Sequence, residues 1–163
     1  GPRMKLHDAL QQQIAATHDG VPWYGTGRSA LLAGLRATDA AAHPVPGAHS
    51  IWELVLHMTA WTQEVEQRLA GHAPGEPDVG DWPRVGRVTE ARWQVACADL
   101  AAANASLLCA MAALPVARWA EHVGDNRDPA INAGVTISAM LVGLAQHDAY
   151  HTGQIALLRR ALG

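Results

Sequence analysis

The sequence predicts an all-α protein, a single four-helix bundle over residues 1–163. Three observations carry this. Four long segments place apolar residues at helical spacing, and no segment shows the alternation of a strand. Almost half of the 163 residues are apolar, enough for one sizeable core. Breaks rich in Gly, Pro and Asp separate the long segments.

The first helix is expected over Leu6–Thr17, with Leu6, Leu10 and Ile14 inward, and Pro22 marks the break after it. Ser29–Leu35 reads as a short helical piece, and Thr38 as the cap of another brief turn. The second long helix opens with Ser50 as N-cap and Glu53 three residues on, a capping box. Its apolar face is Ile51, Leu54, Val55, Met58, Trp61 and Val65, and Gly71 marks its end. His72–Val88 is a loop, long for a bundle connection, and its length permits a crossover that would let helices two and three run parallel. Trp82 within it is expected to tuck onto the core. Thr89 caps the third helix, whose stripe is Trp93, Ala96, Leu100, Ala103 and Leu107. Residues 116–134 are irregular and polar, and shape either the mouth of a site or a plain solvated loop. The last helix starts at Thr136 or Ser138 and buries Met140, Leu141, Leu144, Ile155 and Leu158.

Composition excludes some functions. A net charge of −3 and the lack of a basic cluster argue against nucleic acid. No apolar run is read as membrane-spanning. Gly1-Pro2-Arg3 reads as a tag scar before a native Met4, with no signal peptide following. Cys97 and Cys109 lie twelve residues apart on one helix, roughly 18 Å along its axis. Disulfide geometry needs Cα atoms within about 7 Å. Two unpaired cysteines suit a reducing cytoplasm, the expected location.

The chemistry concentrates in His147-Asp148-Ala149-Tyr150-His151-Thr152-Gly153-Gln154. His147 and His151 are four apart, so on a helix they share one face and can grip one metal ion. Nine histidines in the chain make that pair alone a weak signal. His57, on the second helix beside its apolar face, is the candidate third ligand, or else a partly buried core histidine. Bundles build metal sites from such inward side chains on facing helices, and three imidazoles would leave a coordination position open. Gln154 projects toward the ligand face, where it bonds substrate, orients a ligand or bridges helices. Trp61, one turn past His57, walls the pocket or belongs to the core. Tyr150 points off the ligand face and is expected to be structural. Surface positions are expected for His43 and His49. Glu53 is absorbed by the capping box, and Asp148 points about 100° away from His147. No free carboxylate base is evident near the histidines.

Two stretches resemble a known family. Gly47–Trp61 is similar to the second-helix signature of the DinB/YfiT-like bundle proteins, and His147–Ile155 to their last-helix signature. The resemblance runs from about Trp23 to Leu162, takes in Asp81-Trp82 and Thr89…Trp93, and owes little to the first eighteen residues. It implies a bundle in up-down-down-up order and one divalent ion, zinc or nickel, on His57, His147 and His151. It also implies a homodimer. Several relatives transfer low-molecular-weight thiols such as bacillithiol, mycothiol or glutathione to electrophiles. The expected function is therefore a metal-dependent thiol S-transferase acting on a small thiol and an electrophile. The alternatives are a metal-dependent hydrolase and a non-catalytic, stress-related metal-binding module.

Overall fold

The computed structural model describes residues 3–163. Gly1 and Pro2, read as part of a tag scar, lie outside them. Four long helices form: α1 (Leu6–Asp19), α4 (Ile51–Leu69), α5 (Glu90–Ala113) and α6 (Ile137–Leu162). Two short ones, α2 (Arg28–Leu32) and α3 (Ala37–Ala41), link α1 to α4. A 3-10 turn, Val116–Ala120, precedes α6. No strand forms among the described residues. The pairings are two isolated bridges, His122 with Thr136 and Asp128 with Ala133, which fold the segment before α6 back on itself.

Local chemistry sets the helix starts. Ser50 Oγ accepts from Glu53 N at 3.1 Å while Glu53 Oε2 accepts from Ser50 N at 3.1 Å. Thr89 and Thr136 cap α5 and α6 through Arg92 N and Ala139 N. Each such side chain satisfies an amide that the helix leaves unpaired. Two local expectations change. Thr38 lies inside α3, because Asp39 turns its carboxylate back onto Arg36 N at 3.4 Å and the cap falls at Arg36, two residues earlier. Leu6 is 80% exposed, since it begins α1 at the bundle's edge, where the next residue, His7, meets Trp119.

The helix order follows from two apolar clusters. One joins Leu10 and Ile14 of α1 to the ends of α4 (Val65, Leu69) and α5 (Leu107, Met111) and the start of α6 (Met140, Leu144). The other joins the starts of α4 (Ile51, Met58) and α5 (Trp93, Leu100) to the end of α6 (Ile155, Leu158). Thus α4 and α5 run parallel and α6 runs against both. The end of α1 reaches the bundle's middle through His18, so α1 runs with α6. This is the up-down-down-up order, and the segment between α4 and α5 is its crossover.

A polar layer separates the two clusters. Arg28 is fully buried there, with Nε on His18 Nδ1 at 3.3 Å, Nη2 on Asn104 Oδ1 at 3.4 Å and Nη1 3.1 Å from Asp148 Oδ1. The Asp148 contact is ionic rather than a well-aligned hydrogen bond. Burial, and then the Arg28 charge, pushes His18 down to about 4, so it stays neutral and accepts from the guanidinium.

The outer face of α5 is almost uncharged. Val95, Ala98, Ala102, Ala105 and Cys109 lie exposed along it. The sequence reading found no membrane-length apolar run. By length and composition α5 is one, because its many alanines count as apolar, while its Trp93–Met111 stripe packs inside the bundle.

Candidate metal centre

The caps fix where three histidines fall. His57 sits in the first half of α4, and His147 and His151 sit on either side of the middle of α6. Because α4 and α6 are antiparallel, these positions meet in the polar layer. His57 Nε2 lies 2.9 Å from His147 Nε2, and His151 Nε2 lies 3.1 Å from the same atom. His57 and His151 are 5% and 6% exposed.

Second contacts orient the rings. His57 Nδ1 is 2.6 Å from the Asp81 carbonyl oxygen, and a carbonyl only accepts, so the proton is on Nδ1. His151 Nδ1 is 2.6 Å from Gln154 Oε1, which fixes that ring the same way. Both inner Nε2 atoms therefore present lone pairs toward His147. A single Nε2–H on His147 can satisfy only one of them. Three converging nitrogens with too few protons fit a cation better than mutual hydrogen bonding. Tetrahedral ligation at about 2.0–2.1 Å would set the nitrogens about 3.3 Å apart, close to the spacings seen. The group could hold one metal ion through one atom from each histidine.

Electrostatics agree with that use. Burial, followed by the charges of His151 and His57, pushes His147 down to about 3. Burial likewise lowers His57 and His151. Neutral imidazole is the ligating form, so the protein holds these groups ready without a proton to displace at pH 7. The same shifts predict a pH dependence. Unfolded histidine takes up a proton near 6.5 while these folded groups resist, so the unfolded state binds more protons below that pH. Metal-free protein is expected to lose stability steadily from about pH 6.5 downward, and His147→Ala to lose it less steeply. Thermal unfolding of both between pH 7.5 and 4.5 checks this. A flat wild-type profile would contradict it.

A family model described as the DinB superfamily matches residues 28–155. The chain belongs to the DinB superfamily. No curated protein and no solved structure matches it. The DinB match takes in α2 to α5 and most of α6, including all three histidines, and leaves α1 outside.

The crossover of this DinB bundle closes one side of the centre. Trp82 stacks on His57 at 3.8 Å and 6° between planes. His49 stacks on Trp82 at 3.5 Å and 8°, and two rings that close can only lie on opposite faces of the indole. His49 also holds Glu53 Oε2 at 2.9 Å, as His43 holds Oε1 at 3.0 Å. Both are surface residues as expected, but His49 clamps Trp82 over a candidate ligand.

The other side is open. A cavity of about 590 Å³ adjoins His57 and His147. Trp61 walls it, and Ala130 and Asn132 from the irregular segment form part of its lining. Tyr150 is exposed and lines the cavity, a correction to its structural reading: projecting off the ligand face carries it to the solvent side of α6. Gln154 does not line the cavity and instead holds His151.

A carboxylate that sequence reading missed is also present. Asp81 lines the cavity, with Oδ1 3.3 Å from His57 Nδ1 and 2.7 Å from Trp61 Nε1, which donates to it. Asp81 lies in the crossover, and nothing local in the sequence shows where that loop docks. The other carboxylates near the site are occupied. Glu64 pairs with the buried Arg68, and Asp148 pairs with Arg28.

Proposed function

We propose that the chain is a metal-dependent enzyme that transfers a low-molecular-weight thiol to an electrophile, with zinc or nickel on His57, His147 and His151. The observation that carries the metal reading is the meeting of three imidazole Nε2 atoms, with more lone pairs than protons among them, in a buried layer beside an open cavity. Three imidazoles leave the ion's full charge in place, and that charge would lower the pKa of a bound thiol or water toward neutrality. The chain's own groups do the rest. Asp81 O and Gln154 Oε1 hold two rings in the ligating tautomer. Trp82 keeps water off the crossover side of His57. The cavity on the other side admits the reactants.

A hydrolase is the second reading, and Asp81 favours it. Its carboxylate is placed on the cavity wall next to His57, where a base for an attacking water would stand. A reaction panel separates the readings. Zinc-loaded protein is expected to conjugate bacillithiol to an electrophile, and metal-free protein to do so at the uncatalysed rate. Metal-dependent ester or amide cleavage without any thiol would replace this reading by the hydrolase. Neither reaction, with metal still bound, would leave the binding module.

A further inference from the structure

The cavity has a direction. On α4, His57, Trp61 and Val65 are spaced by four and share one face. On α6, Ala139, Gly143 and His147 do the same. The two helices are antiparallel, so both histidines fall at one end of the cleft and Val65 and Ala139 at the other. Eight residues of helix span about 12 Å. The cleft therefore runs about that far from the histidines, with Trp61 and Val65 on one wall and Ala139, Met140, Gly143 and Leu144 on the other, and with Gln146 and Tyr150 also lining it. Its far end holds a cation, Arg68, but that guanidinium is already taken. Glu64 pairs with it, and the carbonyls of Gly75 and Ile131 accept from Nη2 at 3.0 and 2.8 Å. Nothing there is free to bind an anion.

Gly143 makes the room. A Cβ added to it would meet no heavy atom within 4 Å, and its φ is not positive. Neither close packing nor backbone conformation demands a glycine, and glycine is the poorest helix former but for proline. What its missing side chain leaves is open cleft.

We propose that the substrate carries an uncharged apolar body, alkyl or aryl, that lies along this cleft with its reacting group at the histidines, and that Gly143 sets how much bulk the cleft accepts. This rests on the reading of the three histidines as an open metal centre. The volume of about 590 Å³ is that of a small-molecule site.

The test uses zinc-loaded protein and straight-chain hydroxamic acids of two to eight carbons, whose head binds zinc and whose tail probes the cleft. In the wild type, affinity should rise about fourfold per added methylene, the order expected for a CH₂ leaving water. Gly143→Leu should bind acetohydroxamic acid as the wild type does, lose the rise with chain length, and melt no lower. Ala139→Leu, one turn farther from the histidines, should truncate the rise only for the longest tails, and it serves as the second variant if Gly143→Leu does not fold. Equal chain-length dependence in wild type and variants, or none in the wild type, would overturn the proposal. Failure of acetohydroxamic acid itself to bind the zinc-loaded wild type would overturn the open-centre reading and the proposal with it, a result distinct from a head that binds with a tail that does not matter.

Discussion

Replacing His147 by alanine is expected to lower zinc affinity more than 100-fold. Losing a group that merely orients a ligand costs 10- to 100-fold, and His147 is the nitrogen that both other imidazoles approach. The remaining pair, on two different helices, would hold an ion by two points only. Metal protects the folded state by mass action, so the gain in Tm on adding zinc should vanish in the variant as well. Competition against a chromophoric chelator measures the affinity. Retention of wild-type affinity in His147→Ala, and likewise in His57→Ala and His151→Ala, would remove the centre.

The second large effect is structural. Arg28→Met is expected to destabilise the fold by about 3–5 kcal/mol, because it leaves Asp148 buried without its cation. Burial already raises the Asp148 pKa, with Arg28 opposing. Without Arg28 the carboxyl escapes by taking up a proton. A folded-state pKa above the unfolded value favours the fold at low pH and costs stability as pH rises through that window. The deficit should therefore be smaller at pH 5 than at pH 8. Adding Asp148→Leu to Arg28→Met should recover much of the loss, since two apolar groups leave no charge stranded. Urea unfolding at both pH values decides it. An equal deficit at the two values would mean that Asp148 is not the group left stranded.

What the sequence made legible was local. Ser50 with Glu53, Thr89 and Thr136 fix helix starts within one turn of chain, and the apolar stripes of α4, α5 and α6 are buried as their spacing required, save Trp61, which faces the cavity. The i, i+4 histidines and His57 could be proposed because helical spacing and family signatures both point to them. What stayed hidden depends on distant contacts. Asp81 orients His57 through a backbone carbonyl, which has no residue-type signature, from a loop whose docking no local rule fixes. Arg28 looks like any surface arginine until α1, α5 and α6 close around it. Glu64 and Arg68 have the spacing of an ordinary exposed helix pair, and their burial shows only once the segment before α6 folds over them. Gly143 reads as a weak point in a helix, and its use appears only with the opposite wall in place.

The proposed centre has His57, His147 and His151 together holding one divalent ion. X-ray absorption at the metal edge of protein loaded with zinc and then desalted tests it most directly. One zinc per chain is expected, with three imidazole nitrogens at about 2.0–2.1 Å and an exchangeable oxygen as the fourth neighbour. No bound zinc after desalting, or a first shell containing sulfur from Cys97 or Cys109, would contradict it.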